Sequence, residues 1–256
     1  MITYDQVKSF AHSLKTNESA VFREYLQILF LSKFYKHEGS NKVFFKGGTA
    51  IHLLLGAPRF SEDLDFTVML TEEKFGLLTK TVFDEISKEE EISFKERETI
   101  AGKGYLLTAK PGLLPYATFI NLDFSFREMV MRPEKSTLDT TYPIILTSFI
   151  HHLSKEELCA EKVRALTTRH KGRDLYDLWF LLSKGVRIED ELVEKKLKYY
   201  KIKYSGLGKL LLKINEFSEK EYVSDLRPFV PINEREKLKE SFGYTKEYLI
   251  NKLSKI

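Results

Sequence analysis

Residues 43–69 read VFFKGGTAIHLLLGAPRFSEDLDFTVM, and this stretch decides the fold. Val43, Phe44 and Phe45 form a short run of strand-forming residues stopped by Gly47 and Gly48, after which Thr49 to Leu55 has helical spacing closed by Gly56 and Pro58. From Asp63 to Met69 the character alternates, placing Leu64, Phe66 and Val68 on one face of a strand and Asp63, Asp65 and Thr67 on the other. The segment predicts a strand, a glycine turn, a helix and a second, half-buried strand with acid on its open face.

On a strand, residues i and i+2 project to the same side about 7 Å apart, so Asp63 and Asp65 present two carboxylates toward one point. Such a pair is costly unless a cation or solvent compensates it. Magnesium takes hard oxygen ligands, typically one or two carboxylates plus substrate phosphates, and a shared carboxylate can bridge two ions about 4 Å apart. The glycines supply the complementary half, because residues without Cβ let backbone N–H groups approach an anion and the following helix directs its positive end there. Gly-Gly alone is an ordinary turn, and Asp-x-Asp alone an ordinary solvated strand face. Their order and separation within one short segment point to a nucleoside triphosphate held through metal.

A third carboxylate lies in Phe119-Ile120-Asn121-Leu122-Asp123-Phe124-Ser125-Phe126, where Ile120, Leu122, Phe124 and Phe126 share an apolar face and leave Asp123 opposite with Asn121 and Ser125. Beside Asp63 and Asp65, Asp123 is a general base for a substrate hydroxyl or a ligand to the metal that activates it. The plain alternative is an acid on a solvent-facing sheet surface.

The rest of the chain frames these strands. Two helices are predicted up to about His37, the second capped at Asn17, and Thr71 to Glu89 has helical spacing. Ile92 to Arg97, Gly104 to Lys110 and Thr118 to Arg127 read as strands. After Pro143 the β signal fades: Ser154 and Glu157 suggest a capping box before a helix to about Arg169, another helix follows Gly172, and everything beyond Gly185 reads as helical. The fold class is α+β, a mixed sheet flanked by helices with a helical C-terminal part.

Composition excludes several classes. With 256 residues, 43% hydrophobic and 30% charged, the chain is ordinary for a folded globular protein. A single cysteine, Cys159, allows neither an intramolecular disulfide nor a multi-cysteine zinc site, which points to a reducing, cytoplasmic setting. Met1 to Leu14 reads as an amphipathic helix and not as an export leader, and no apolar run approaches the roughly 20 residues of a membrane span. Residues 1–150 hold 18 Lys and Arg against 20 Asp and Glu, a net −2, whereas residues 151–256 hold 23 against 17, a net +6, which suggests an anionic partner for the C-terminal part.

The run Lys46-Gly-Gly-Thr-Ala50 with Arg59-Phe-Ser-Glu-Asp-Leu-Asp-Phe66 resembles the signature of the AbiEii/AbiGii toxin family, nucleotidyltransferase-fold proteins that include the MenT-type toxins. Ala160-Glu161-Lys162-Val-Arg164-Ala165 with Arg173-Asp174-Leu-Tyr-Asp177-Leu178 resembles the family's downstream motif. The resemblance spans residues 43 to about 182 and implies a polymerase-β-like core that transfers a nucleoside monophosphate from an NTP, using magnesium, with two ions expected. By motif it implies that Gly47, Gly48 and Ser61 contact phosphate, with Lys46, Thr49 and Asp174 beside them, and that Asp63 and Asp65 hold metal. Lys162 would reach the triphosphate and Asp177 would organise that end of the site. The match of Asp123 to the third acid is positional. His52 departs from the family, where arginine is frequent. A toxin role with a cognate antitoxin protein is likewise implied by the resemblance.

The downstream block has its own reading. On a helix Lys162 and Arg169 share a face, while Cys159, Val163 and Leu166 line another suited to packing. Lys162 and Asp177 are partners in a salt bridge between two packed helices, worth little if exposed, or contacts for a triphosphate, and the two are compatible. Residues 195–213, KKLKYYKIKYSGLGKLLLK, hold seven lysines, no acid and three tyrosines, a combination suited to RNA, possible tRNA included, or to a lysine-covered helix with its tyrosines in the core. The predicted organisation is a nucleotidyltransferase domain over residues 1–185 and a basic helical domain over residues 186–256. The rival readings are a non-catalytic nucleotide-binding partner protein and a metal-dependent nuclease.

Overall fold

The computed structural model describes residues 1–99, 102–110 and 112–255, in two compact units: 1–56 with 60–153, and 57–59 with 154–256. The first unit contains α1 (Tyr4–Ser13), α2 (Glu18–Phe34), β1 (Val43–Lys46), α3 (Gly47–Leu55), β2 (Leu64–Val68), α4 (Glu72–Glu89), β3 (Ile92–Arg97), β4 (Gly102–Ala109), β5 (Thr118–Ser125), β6 (Pro133–Ser136) and β7 (Ile150–Leu153). Among the described residues seven strands make one mixed sheet in the order β3-β4-β5-β2-β1-β7-β6. β2 runs antiparallel to β1 and parallel to β5, and β1 runs parallel to β7.

The core explains why the strands take this register. Phe45, Phe66 and Phe124 stand beside one another on β1, β2 and β5, with ring centroids 5.5 Å apart for the first pair and 4.7 Å for the second, whose planes differ by 11°. α2 lays Phe30 and Phe34 on Phe66 at 6.3 and 5.8 Å, and α4 sets Phe75 on Phe124 at 4.8 Å. Offset aromatic contacts of this kind add to the burial of large apolar surface. Asn17 caps α2 as its sequence predicts, its side chain accepting the Ala20 N–H at 2.8 Å.

β7 departs from the sequence reading, which sees the β signal fade after Pro143, and β6 lies before Pro143 where that reading named no strand. β7 is four residues long, Ile-His-His-Leu, too short for alternation to register, and β6 opens with Pro133, which fits an edge strand.

The second unit contains α5 (Lys155–Thr168), α6 (Gly172–Ser183), α7 (Asp190–Tyr199), α8 (Gly208–Glu216), α9 (Glu219–Leu226) and α10 (Leu238–Leu253). The compact division falls at 153/154, whereas the motif-based reading places it at 185/186. α5 and α6 lie with the later helices because their apolar residues, among them Leu158, Val163, Leu166, Leu175 and Leu178, are buried in a helical unit where α5 packs on α6, α7 and α8. The capping box read from Ser154 and Glu157 is half present. The Glu157 N–H donates to Ser154 Oγ at 3.2 Å, but the Glu157 carboxylate turns inward to the Lys196 ammonium at 2.8 Å. No described helix is long and apolar enough to cross a membrane.

Phe66→Ala removes the ring shared by both stacks and is expected to cost about 3–5 kcal/mol, as for other buried aromatics truncated to alanine. Urea denaturation followed by circular dichroism measures it, and a loss under about 1 kcal/mol would show that the stack does not organise the sheet.

Candidate active site

In the first unit the glycine turn and the acidic strand are one construction. β1 ends at Lys46, in register with Asp65 of β2, and Gly47 follows at φ +81°, a conformation that L residues with side chains rarely adopt. A Cβ on Gly47 would stand 2.2 Å from Asp65 Oδ2, so only glycine lets the backbone turn against that carboxylate. α3 begins at once and carries no side-chain cap, which leaves the positive end of the helix without an acidic or hydroxyl partner from the cap position. Thr49 is fully buried and its hydroxyl donates to the Asp63 carbonyl, tying the start of α3 to the start of the acidic strand.

The sheet aligns two of the three predicted acids, and the third, Asp63, stands one residue before β2. Asp65 and Asp123 are register partners across β2 and β5, and the Asn121 amide donates to Asp63 Oδ1 at 2.8 Å. Arg97 of β3 donates through Nη2 to Asp123 Oδ1 at 3.1 Å. Burial pushes the Asp123 carboxyl above its ordinary pKa; Arg97 pulls it back and the Asp63 charge pushes it further up. Among the described residues the acids are not drawn into a closed cage of three or more ligands. One oxygen of Asp63 and one of Asp123 are occupied by Asn121 and Arg97.

The flanking loop is held from below by a residue whose sequence signal was an interruption. Gln27, 1% exposed in the apolar run of α2, donates its amide to the Ser61 and Glu62 carbonyls, both at 3.0 Å. A buried amide on an apolar helix marks a backbone that needs a partner. Lys46 is 8% exposed and its ammonium lies 3.3 Å from the buried Glu128 carboxylate, so this predicted nucleotide-binding lysine has an internal partner. His52, which departs from the family pattern, lies 2.5 Å from Glu24 and packs its ring against Phe60 at 5.3 Å.

In the second unit Lys162 sits between two carboxylates, Asp174 at 2.9 Å and Asp177 at 2.8 Å. This is the ion pair the sequence allowed, but it is buried, with side-chain exposures of 8%, 2% and 0%, and the weak energetics of exposed pairs do not apply. Arg59 closes the cluster with both its Nε and Nη2 on the Asp177 carboxylate, and Arg169 reaches Asp174 through Nε at 2.7 Å and Nη2 at 3.0 Å. Burial opposes the Lys162 charge, yet Asp174 and Asp177 outweigh it and hold its pKa above the ordinary lysine value. Burial likewise opposes the Asp174 charge, and Lys162 and Arg169 reverse the balance to hold that carboxyl well below the usual range. The sequence reading assigned no role to Arg59, whose signal was its place at the head of the Arg-Phe-Ser-Glu-Asp run.

The basic segment 195–213 divides by burial. Lys196 is fully buried between Glu157 at 2.8 Å and Glu161 at 2.9 Å, Tyr200 lies 4.4 Å under the Arg164 guanidinium, and the Tyr204 hydroxyl donates to Asp190 at 2.6 Å. Lys198, Lys201, Lys203 and Lys209 are exposed.

Carboxylate oxygens with neither histidine nor thiol at Asp63, Asp65 and Asp123 form a hard donor set, and the mutual charge felt by Asp123 is the kind a divalent cation relieves. The residues fit magnesium.

Asp177→Ala leaves the buried Arg59 and Lys162 charges without their shared carboxylate and is expected to cost about 3–5 kcal/mol, read from urea denaturation; a cost below about 1 kcal/mol would mean that solvent replaces the pair. Because the Asp174 carboxyl is held low in the folded chain, its stabilisation is present above the unfolded carboxyl value near about pH 4 and is lost as pH falls below it. Melting curves between pH 6 and pH 3 should therefore fall less steeply for Asp174→Asn than for wild type.

A family model described as nucleotidyl transferase AbiEii toxin, type IV toxin–antitoxin system, matches residues 29–242. Among curated proteins no sequence matches significantly. Of solved structures, the MenT4 nucleotidyltransferase toxin of Mycobacterium tuberculosis H37Rv is similar with a TM-score of 0.65 and 20% identity, over 96% of this chain and 90% of that one. JHP933 from Helicobacter pylori is similar with a TM-score of 0.52 and 20% identity, over 93% and 95%. At these identities the structural likeness speaks for the fold. The family match spans most of the sequence and includes both motif blocks, and the chain belongs to the AbiEii nucleotidyl transferase toxin family.

Proposed function

We propose that this nucleotidyltransferase toxin moves a nucleoside monophosphate from an NTP to a hydroxyl of RNA in a magnesium-dependent reaction, with Asp63, Asp65 and Asp123 at the reacting centre. The observation that carries the reading is the register pairing of Asp65 with Asp123, next to a turn that only Gly47 can make against Asp65. Magnesium held by these carboxylates, with two ions expected, would supply charge neutralisation on the triphosphate and the acceptor oxygen.

The residues of the chain do the rest. Gly47, Gly48 and Thr49 offer backbone N–H groups at the uncapped start of α3 to phosphate oxygens, with Ser61 as a further contact. Asn121 fixes one oxygen of Asp63 and leaves the other for the site. Asp123 accepts the proton of the attacking hydroxyl. The acceptor oxygen then attacks the α-phosphorus in line and pyrophosphate leaves. Lys162 contacts the triphosphate: its ammonium has three N–H donors, of which Asp174 and Asp177 take two, and those carboxylates secure its charge. Exposed Lys198, Lys201, Lys203 and Lys209 on a C-terminal part of net +6 support RNA as the acceptor. Family membership implies a cognate antitoxin.

Incubation with each labelled NTP, total RNA and magnesium tests the reading, with RNA, protein and small products then separated. Labelled RNA with release of pyrophosphate is expected; labelled protein would move the acceptor, and shortened RNA without an NTP requirement would point to a nuclease. Asp63→Asn and Asp65→Asn keep the side-chain shape and remove a charged ligand, so transfer should fall at least about a hundredfold with the melting temperature nearly unchanged. Wild-type turnover in both variants would sink the mechanism.

A further inference from the structure

Arg97, Gly104 and Asp123 stand side by side across three strands. Arg97 of β3 is the register partner of Gly104 of β4, and Gly104 is the register partner of Asp123 of β5, so all three share the sheet face that carries the acids. The Arg97 side chain crosses the whole width of β4 to place Nη2 3.1 Å from Asp123 Oδ1. A Cβ on Gly104 would lie 2.4 Å from Thr99 Cγ2 and 3.4 Å from Asp123 Oδ1. Gly104 is not among the glycines with positive φ, so its backbone is open to other residues, and the space its missing Cβ leaves is taken by the Thr99 methyl group.

Stability does not account for this arrangement. The Arg97 and Asp123 side chains are 36% and 42% exposed, and ion pairs so open to solvent contribute little to folding. Nor is the guanidinium used up in fastening the sheet, since its buried Nε has no hydrogen-bond partner. What the contact does is fix one oxygen of a carboxylate that stands next to Asp65 and feels the charge of Asp63.

We propose that Arg97 is a positioning residue for transfer: reaching across β4, it holds Oδ1 of Asp123 so that Oδ2 faces the reacting hydroxyl. A guanidinium suits this task because its planar fork sets the direction of the carboxylate as well as its charge. The inference rests on the reading of Asp123 as a member of the site.

The test uses the full chain with Arg97→Gln, Arg97→Met, Arg97→Lys and Asp123→Asn. Arg97→Gln is expected to lower kcat by about ten- to a hundredfold, the usual cost of removing a group that orients a ligand. KM for NTP and the nucleotide-induced rise in melting temperature should stay near wild type. Arg97→Lys should recover part of the loss. A crystal structure of Arg97→Gln should show the Asp123 carboxylate turned from its wild-type direction. Wild-type kcat in Arg97→Gln, a matching loss of NTP binding, or an unmoved Asp123 carboxylate would overturn the proposal. If Arg97→Gln does not fold, wild-type kcat in Arg97→Met overturns it equally, and a reduced kcat in Arg97→Met with normal NTP binding upholds it. Wild-type turnover in Asp123→Asn would instead remove Asp123 from the site, whereas an inactive Asp123→Asn beside a fully active Arg97→Gln would leave the site standing and reject the role of Arg97.

Discussion

The packing of Phe45, Phe66 and Phe124 on one face of β1, β2 and β5 is the constraint on which the chemistry of the first unit depends. Side chains alternate along a strand with a period of two, so a register that buries these rings must turn Lys46, Asp65 and Asp123 to the opposite face. A slip of one residue would bury carboxylates and expose phenylalanines, a double penalty. The apolar core thereby sets the alignment of two acids from strands far apart in sequence, with no interaction between the acids themselves to favour it.

An uncharged group holds the Asp63 carboxylate where the core has put it. Asn121 takes an oxygen of Asp63, Thr49 takes its carbonyl, and Gln27 supports the backbone just before it. An amide or hydroxyl orients an acid without cancelling the charge a divalent cation requires, whereas a lysine in the same place would cancel it. Arg97 is a charged partner, and it acts on the acid assigned to proton transfer.

The second unit uses charge differently. Lys196 with Glu157 and Glu161, and Lys162 with Asp174, Asp177 and Arg59, are buried clusters, the second joined from the surface by Arg169, in which each cation meets more than one carboxylate or the reverse. Removing ions from water is costly, and the attraction between them offsets that cost only where geometry and number match. Such clusters are poor sources of net stability, but they penalise any alternative packing that strands a charge. Lys162 and Lys196 look alike in sequence, each a lysine on a helix amid polar neighbours. Lys162 pairs with the carboxylates of the Arg-Asp-Leu-Tyr-Asp motif, while Lys196 pairs with acids of α5 and lies wholly inside.

The sequence by itself determined the elements that carry the chemistry. The glycine stop after Phe45, the alternation through Asp63 to Met69 and again through Phe119 to Phe126, and the Lys162 and Asp177 blocks are local patterns, and local patterns follow from helix and strand periodicity. The tertiary structure decided what depends on partners distant in sequence. It paired Asp65 with Asp123, set Gly47 against Asp65 with no room for a Cβ, brought Arg59 to Asp177 and Arg97 to Asp123, and added β6 and β7, too short to show a period. It also buried Lys196, which composition counts as one more surface lysine, and placed α5 and α6 in the helical unit because their apolar residues find cover there. A residue's type and spacing fix which way its side chain leaves the backbone, but whether that side chain meets solvent, a carboxylate or a glycine depends on which other strand or helix lies beside it, and only packing settles that.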